Sequence, residues 1–446
     1  MKDVSREGET PPSVPNVATQ GGETCRKGRS EPTIWTERML AALENGVQGG
    51  KWYSLSDKAF GAPSLLAAFR KVKANQGAAG VDRMTISRFE SNLDLEISRL
   101  SAALRDGTYR PQPIRRVWIP KPGSREKRGL GIPTVRDRVV QTAVHAALEP
   151  IFEREFREGS YGFRPGRSCQ KALKKVWRRV KSSPTHVVDA DLRKCFDTIP
   201  HELIMRGLDS KVSDGRLLGV VRAFLRQGVM EGGGAERAVA AEEGTPQGSV
   251  VSPLLANIAL HGLDLMAEER GFDLVRFADD FVVLCESREE AEAALEAVSN
   301  WTTASGLTLH PVKTRIVNQG SGESFDFLGY KFKGHRVYPR TKSQQKFREF
   351  VRAATPRSSG ASLAATVAIL NPKIRGWYNY FRHSWPTEFP SMDGFVRRRL
   401  RSILGKQHGI RRYAKGSDNL RWPNAYFDQL GLFSMEQAHA RRSILS

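Results

Sequence analysis

Apolar residues begin to recur at regular intervals near residue 34, and the first such stretches have helical spacing. Residues 65–72 carry apolar side chains at this spacing, and the glycine-rich residues 77–80 are expected to end the helix. Residues 139–148 and 254–266 repeat the helical pattern. These stretches supply the helical part of the predicted fold.

Short apolar runs between these helices predict strands. Residues 117–119 and 187–192 are predicted in this way, and 325–332 is a further predicted short strand. From residue 342 the spacing is helical again. A chain that mixes short strands with long helices in this way is predicted to fold in the α+β class.

Two neighbouring aspartates interrupt an apolar stretch. Residues 275–284 are apolar at both ends and hold Asp279 and Asp280 in the middle, which predicts a β-hairpin whose turn contains both acids. Burying two adjacent carboxylates costs on the order of several kcal/mol unless a cation or a hydrogen-bond donor compensates. Tight turns favour aspartate for reasons of their own. This segment alone therefore leaves a metal site and an ordinary turn both open.

Asp191 adds a third carboxylate. It lies in the predicted strand 187–192, where alternation directs Asp189 and Asp191 to the same face. A strand carboxylate beside a carboxylate hairpin is typical of a site for two metal ions about 3.5–4 Å apart. Carboxylate oxygens are the ligands that Mg²⁺ prefers. Such a site predicts nucleotidyl transfer, in which one ion activates a 3′-hydroxyl and the other stabilises departing pyrophosphate.

The amino-acid composition narrows the class of binding partner. The 446 residues include 70 Lys and Arg against 48 Asp and Glu, a formal charge of +22. A surplus this large favours a polyanionic partner over a merely soluble basic protein. None of the four cysteines forms a Cys-x-x-Cys pair, which argues against a zinc site. The sequence has no signal peptide and no apolar stretch that spans a bilayer, so we predict a cytoplasmic location and no membrane partner.

Several motifs in a fixed order resemble those of the reverse transcriptase–maturases encoded by bacterial group II introns. The sequence Phe-Ala-Asp-Asp at 277–280 resembles the Tyr-Ala-Asp-Asp motif of that family, with Phe in place of Tyr. Residues 189–197 resemble its first palm motif, and residues 244–253 resemble its Thr-Pro-Gln-Gly motif. Residues 327–329 resemble the primer-grip strand, and residues 371–381 resemble the helix of the thumb, or maturase X domain. Further matching segments are 76–82, 119–133, 161–168, 306–314 and 422–433.

The resemblance implies an α+β right-hand polymerase with fingers, a palm built on an antiparallel sheet, and a helical thumb or maturase X domain. The predicted divisions are a disordered leader at 1–33, an N-terminal extension and fingers at 34–185, a palm with interleaved fingers segments at 186–340, the thumb at 341–415 and a short tail at 416–446. The sequence shows no His-Asn-His pattern and no cysteine-pair zinc site after the thumb. The resemblance therefore implies a member of the family without the endonuclease domain.

The resemblance also assigns residues to five kinds of site. The catalytic acids are Asp191, Asp279 and Asp280, and the metal ligands are these three together with Leu192. The nucleotide contacts are Lys121, Arg128, Phe196, Gln247 and Lys313. The template or primer contacts are Arg164, Arg167, Gly248 and Gly329, and the RNA-binding residues of the thumb are Lys373, Arg375 and Arg382. Asp191 and Asp279 are preferred over Asp280 as direct ligands.

Some of these roles also have a physical reason. Lys121 and Arg128 can bind triphosphate oxygens as a point charge and a bidentate fork, although charge alone favours solvated turn residues. A bulky ring at Phe196 beneath the sugar would exclude a ribose 2′-hydroxyl. In the thumb helix, Trp377 and Phe381 lie four positions apart and are predicted to pack inward, which leaves the basic side for RNA.

The activity implied by the resemblance is that of an RNA-directed DNA polymerase which binds its intron RNA, assists splicing and copies the RNA into cDNA for retrotransposition. The implied cofactor is Mg²⁺, two ions per site, with Mn²⁺ as a substitute. The implied partners are group II intron RNA, an RNA template with a DNA primer, and dNTPs, while the sequence leaves monomer and dimer open.

Two alternatives remain beside this reading. A domesticated reverse transcriptase of diversity generation or phage defence usually departs from the Thr-Pro-Gln-Gly motif or lacks the Gly-Trp thumb helix, and this chain keeps both. A splicing-only RNA-binding maturase would lose palm aspartates, whereas all three are present here.

Overall fold

The computed structural model describes residues 31–47, 49–120, 127–183, 186–231, 242–246, 248–358, 360–410, 413 and 415–445. Most of the predicted leader and the predicted nucleotide contacts Lys121 and Gln247 lie outside the described residues. Helices surround three small sheets, and the α+β class predicted from the sequence is confirmed.

The described elements alternate along the chain. Those before the central sheet are α1 (Glu37–Asn45), α2 (Ser56–Ala59), α3 (Ala62–Ala74), α4 (Ile86–Glu90), α5 (Leu93–Arg105), β1 (Ile114–Pro120), β2 (Lys127–Ile132), α6 (Val135–Glu155) and α7 (Cys169–Ser182). Next come β3 (His186–Asp191), α8 (Cys195–Thr198), α9 (His201–Asp209), α10 (Gly215–Leu225), β4 (Val229–Glu231), α11 (Ser252–Glu269), β5 (Asp273–Phe277), β6 (Asp280–Cys285), α12 (Arg288–Ala304) and β7 (Arg315–Asn318). The last are β8 (Ser324–Phe327), β9 (Tyr330–Lys333), β10 (Arg336–Pro339), α13 (Thr341–Ala354), α14 (Leu363–Phe381), α15 (Glu388–Gln407), α16 (Asp418–Arg421), α17 (Asn424–Gln429) and α18 (Met435–Leu445).

Side-chain caps explain where several helices begin. Thr134, Ser168, Ser287 and Ser362 each accept a hydrogen bond from a backbone N–H in the first turn of α6, α7, α12 and α14. The helices predicted from apolar spacing at 65–72, 139–148 and 254–266 are α3, α6 and α11. Among the described helices, none combines the length and apolar character needed to cross a bilayer.

The three sheets have different strand orders. The central sheet is antiparallel with the order β5-β6-β3-β7. In the second sheet β1 lies between β2, which is antiparallel to it, and β4, which is parallel. The third is the antiparallel meander β8-β9-β10.

The central sheet separates two cores. On its first face Val188 and Val283 are buried against α11 and α12. On its second face Val187 and Val282 are buried against α7 and the β8-β9-β10 sheet. Because strand side chains alternate, the odd-numbered acids of β3 share the second face with Val187.

The predicted strand 325–332 is wrong in one respect. Two strands, β8 and β9, occupy this segment and form a hairpin. Its central residues, Leu328 and Gly329, have φ angles of 48° and 83°. Positive φ at both central positions is typical of a type I′ turn, whose twist matches that of the flanking strands. The turn is difficult to predict because its first central residue, Leu328, is apolar.

Asp214 ties the N-terminal helices to α10. Its carboxylate accepts the N–H groups of Leu55 and Ser56 at 2.8 and 2.7 Å, and it caps α10 through Arg216 and Leu217. Burial tends to raise the pKa of this carboxyl, but the backbone hydrogen bonds outweigh it and hold the pKa below 3.8.

We expect Asp214→Ala to destabilise the fold by about 2–4 kcal/mol at neutral pH, because a helix cap and two charge-assisted hydrogen bonds are lost. The folded-state pKa is depressed, so this stabilisation is present above 3.8 and is lost as pH falls through the folded pKa. Urea unfolding at several pH values measures how much the free energy of unfolding differs between the variant and the parent chain. Asp106→Ala, which removes an exposed acid at the end of α5, is the control. A cost for Asp214→Ala no larger than the control's would contradict the assignment.

Candidate active site in the palm

A two-residue turn joins β5 to β6. Ala278 and Asp279 are its central residues, and Ala278 has a φ of 59°. Phe277 pairs across the turn with Asp280, which is the first residue of β6 and lies opposite Asp191 of β3. The prediction that both acids occupy the turn is therefore wrong for Asp280. The strand register instead places Asp191 and Asp280 side by side.

A fully buried arginine fixes this turn by a hydrogen bond to its main chain. The guanidinium of Arg276 is 0% exposed and donates to both carboxylate oxygens of Asp264, at 2.7 and 2.5 Å. It also donates to Asn257 Oδ1, the carbonyl of Ala278 and Ser160 Oγ at 2.9 to 3.0 Å. The charge of Arg276 is thus neutralised inside the protein, and one of its hydrogen bonds fixes the turn. Sequence reasoning missed this role, although an arginine in an apolar strand was a signal for it.

The segment before α7 supports the same turn. The N–H of Tyr161 donates to the carbonyl of Arg276 at 2.8 Å, and the Asn257 amide donates to the carbonyl of Gly162 at 2.7 Å. A Cβ at Gly162 would overlap the backbone nitrogen of Ala278. Gly162 is therefore required by the close approach of two backbones at the acid turn.

Arg164 is a correction to the predicted template contacts. Its side chain is 3% exposed and pairs with Glu153. The guanidinium also donates to the carbonyls of Arg157 and Ser160 at 2.6 and 2.8 Å. Protein groups thus take up its donors, so Arg164 stabilises the bend before α7 and does not present its charge to a nucleic acid.

Basic side chains near β7 contact the acids of β3. Lys313 Nζ lies 2.5 Å from Asp191 Oδ2, and Arg315 Nε lies 3.6 Å from Asp189 Oδ2. The regular strand pairing of β3 confirms that Asp189 and Asp191 point to one face. The backbone N–H of His310 donates to the carbonyl of Asp191 at 2.7 Å, which fixes the main chain at the acid.

Burial shifts the pKa of two acids on this face. It raises the pKa of Asp280 to about 7, while a backbone hydrogen bond from Leu328 lowers it and the charge of Asp279 raises it further. Burial also raises the pKa of Asp189 to about 6, against the effect of Arg315. Burial thus favours the protonated form of both carboxyls, because nearby positive charge does not fully compensate for the lost hydration.

The acids suit a hard divalent cation in their chemistry, since carboxylate oxygen is its preferred ligand and positive charge would relieve the crowding. Their present arrangement is incomplete, because no group of three His, Cys, Asp or Glu residues in the described part of the chain is placed to hold an ion. Lys313 instead supplies the charge at Asp191. Leu192 has a buried aliphatic side chain, so only its main-chain carbonyl could serve as the predicted ligand.

Three phenylalanines lie beside the acids. The ring of Phe163 lies 6.3 Å from that of Phe196 and 6.4 Å from that of Phe277. Phe163 is 47% exposed and has a φ of 56°. Its exposed ring and unusual backbone mark Phe163 as a candidate functional residue that the sequence reasoning passed over within the segment 161–168.

Comparison with known proteins identifies the family. A reverse transcriptase (RNA-dependent DNA polymerase) model matches residues 119–332, and a group II intron maturase-specific domain model matches residues 344–419. Protein YkfC of Escherichia coli is 31% identical over 358 residues, which cover 70% of this chain and 89% of that protein. The chain belongs to the group II intron-encoded reverse transcriptase–maturase family. Its fold is the right-hand polymerase fold predicted from the sequence, and such enzymes generally use divalent metal ions.

Other relatives match over shorter stretches. The group II intron-encoded protein LtrA of Lactococcus lactis is 39% identical over 199 residues, which are 44% of this chain and 32% of LtrA. The match thus spans about a third of that relative's length. A telomerase structure from Candida albicans covers 75% of this chain with 12% identity and a TM-score of 0.42.

The Thr-Pro-Gln-Gly loop of this family member packs on the fingers and on α8. The N–H of Thr245 donates to the carbonyl of Phe196 at 2.6 Å, which places the loop beside the predicted sugar gate. Gly248 has a φ of 110°, and a Cβ there would overlap the carbonyl of Gly131 in β2. A close approach to β2 thus requires glycine at 248, while its predicted contact with the template stays a prediction.

The remaining predicted nucleotide and primer contacts are placed on separate elements. The main chain of Arg128 lies in β2, opposite Ile119. Arg167 is half-buried, with its guanidinium 5.4 Å from the centre of the Tyr161 ring. Gly329 lies in the β8–β9 turn, where the hydroxyl of Tyr380 from the thumb donates to the carbonyl of Leu328 at 2.7 Å.

The residues that the sequence assigns to the thumb lie on α14 or directly after it. Trp377 and Phe381 are buried with ring centres 4.8 Å apart, which confirms that they pack inward. Lys373, Arg375 and Arg382 are exposed. The basic side of α14 thus faces solvent.

We expect Arg276→Met to destabilise the protein by about 3–5 kcal/mol, because it leaves Asp264 charged, buried and unpaired. The double variant Arg276→Met with Asp264→Leu should recover most of this loss, since both charges are gone. Denaturant unfolding measures how much the free energy of unfolding falls in the single and in the double variant. Arg288→Met, which breaks the exposed pair with Glu292, is the control and should change the free energy of unfolding far less, because solvent screens an exposed pair. An Arg276→Met cost within the control's range would show that the buried pair does not hold the turn.

Proposed function

We propose that this chain is an RNA-directed DNA polymerase that extends a DNA primer on an RNA template. The observation that carries the proposal is the strand register that sets Asp191 beside Asp280, with Asp279 in a turn fixed by Arg276. Carboxylates crowded in a partly buried site with raised pKa values are typical of functional sites.

The site residues have distinct roles in this proposal. Asp191, Asp279 and Asp280, with the carbonyl of Leu192, would hold two Mg²⁺ ions, for which Mn²⁺ can substitute. When bound, such ions supply the charge that favours attack by a 3′-hydroxyl and departure of pyrophosphate. Lys313 is 61% exposed and carries its charge beside Asp191, where it would bind an incoming triphosphate.

The elements around the acids would position the substrates. Phe196 lies against the loop that holds Thr245, so its half-buried ring would lie beneath the sugar of a dNTP and exclude a 2′-hydroxyl. The turn at Gly329 is tied to the thumb by Tyr380 and would support the primer end.

The maturase domain extends the proposal to splicing. We infer that the exposed cations Lys373, Arg375 and Arg382 bind phosphates of the chain's own group II intron RNA. Bound in this way, the protein would assist splicing and then copy the RNA into cDNA for retrotransposition. A cytoplasmic location and either a monomer or a dimer fit this proposal.

Asp279→Ala should reduce primer extension at least about 1,000-fold, because several kcal/mol of transition-state charge stabilisation would be lost. The assay gives purified protein a DNA primer annealed to RNA, dNTPs and Mg²⁺. Asp106→Ala, at the end of α5, is the matched control and should extend normally. Absence of extension by the parent chain, or normal extension by Asp279→Ala, would refute the polymerase proposal.

Phe196→Ala should raise rNTP incorporation relative to dNTP by about 10-fold or more, since the clash with a 2′-hydroxyl is removed. The readout is the ratio of kcat/KM for a dNTP and the matching rNTP. Tyr53→Ala, which removes an exposed ring outside this aromatic cluster, is the control and should leave this ratio unchanged. An unchanged ratio in Phe196→Ala would contradict the assignment of Phe196 as the residue that excludes a 2′-hydroxyl.

A further inference from the structure

Helix α7 carries far more positive charge than its packing requires. One face is apolar and buried against β5 and β6 through Ala172, Leu173, Val176 and Val180. The rest of its surface is strongly basic. The described basic side chains between Cys169 and Ser182 are Lys171, Lys174, Lys175, Arg178, Arg179 and Lys181.

Two of these cations are used within the protein. Lys175 Nζ lies 2.9 Å from Asp273, and Arg179 contacts Asp273 and Glu286 at 3.1 and 3.0 Å. These pairs fasten the C-terminal half of α7 to the start of β5 and the end of β6. They account for one basic row of the helix.

The second row has no such partners. Lys171, Lys174, Arg178 and Lys181 follow one another at intervals of three or four residues, which places them on one stripe of the helix. All four are exposed, and none forms an ion pair with a carboxylate among the described residues. The stripe presents four cations over about 15 Å of helix. We call these four residues the α7 stripe.

An open cavity of about 580 Å³ lies along this helix. Its lining includes Arg167, Lys171, Lys174 and Arg178, while Asp273 is the acid in it. Asp273 is already paired with Lys175 and Arg179. The cavity therefore offers a concentrated positive charge to an anion.

The stripe continues into the thumb. The amide of Gln170 donates to the carbonyl of Tyr380 at 2.8 Å, so the start of α7 meets the end of α14. Burial, and then the positive charges of Arg442, Arg382 and Lys174, lower the pKa of His383 to about 4. Because Gln170 contacts Tyr380, two residues before Arg382, the α7 stripe begins beside the basic end of the thumb helix.

We propose that the α7 stripe binds the phosphate backbone of structured RNA and extends the thumb's RNA-binding surface along the outside of the palm. The proposal rests on the proposed function for its partner class. Trp177 is 38% exposed beside the stripe, with Lys181 Nζ 5.6 Å from its ring centre, and it could stack on an unpaired base. A membrane surface fits less well, because interfacial helices insert a broad apolar face, whereas the apolar face of α7 is buried in the palm.

The test compares two triple variants of the full chain. Lys174→Gln, Arg178→Gln and Lys181→Gln remove three charges of the stripe. Arg216→Gln, Arg222→Gln and Arg226→Gln remove three exposed charges at α10 and are the matched control. The probe is an RNA hairpin with a stem of about 20 base pairs, titrated at several salt concentrations, since each lost phosphate contact reduces the salt slope by about 0.9.

The stripe variant should bind the hairpin at least about 10-fold more weakly at physiological salt. Its salt slope should be lower than that of the parent chain by about 2–3, whereas the salt slope of the control variant should change by less than about 0.5. Replacing Lys174 and Lys181 by Arg should preserve binding, because the charges remain. Equal loss in both triple variants would mean that the stripe adds only net charge, and unchanged binding would overturn the proposal outright. Retained RNA binding with lost binding to phosphatidylserine vesicles would assign the stripe to membranes and also overturn it.

Primer extension separates this proposal from the polymerase proposal. On a short primer annealed beforehand to RNA, the stripe variant should extend at the parent rate. Asp279→Ala should show the opposite behaviour, with normal hairpin binding and no extension. A stripe variant that binds normally and loses extension would place these residues in the polymerase site and contradict the separate surface.

Discussion

One buried ion pair, Arg276 with Asp264, underlies the geometry of the acid site. A charged guanidinium with no solvent exposure would cost many kcal/mol if its donors were unmet. Here they are met by a carboxylate, an amide oxygen, a hydroxyl and the carbonyl of Ala278. The last of these bonds fixes the residue with positive φ that precedes Asp279. The buried pair thus determines how the turn presents its acid.

Charge is distributed unevenly around this turn. The acids on the second face of the central sheet repel one another, and burial raises the pKa of Asp280 to about 7. The basic surplus lies elsewhere, on α7 and the thumb, where much of it faces solvent. A site short of positive charge suits bound cations, whereas surfaces with excess positive charge suit a phosphate backbone. The proposed metal-dependent catalysis at the acids and the proposed RNA binding at the basic surfaces both follow from this separation of charge.

Local patterns predicted much of this structure, and long-range contacts account for the rest. Helices α3, α6 and α11 follow from apolar spacing, and β3 follows from an apolar run, because burial imposes these periods directly on the sequence. Acids set into apolar strands singled out Asp191, Asp279 and Asp280, and the family motifs assigned them their catalytic role. The burial of Arg164 could not be predicted, since it depends on Glu153 in α6. The split of 325–332 into two strands depends on backbone dihedral angles that an apolar leucine does not reveal.

The central claim is that the three palm acids together form the metal site of a polymerase. The most direct test is anomalous scattering from Mn²⁺ in crystals of the protein bound to a DNA primer on RNA and a non-hydrolysable dNTP analogue. The claim predicts two manganese peaks within coordination distance of Asp191 and Asp279, between the primer end and the triphosphate. Peaks bound by other residues, or none beside these acids in a complex that holds primer and nucleotide, would contradict it.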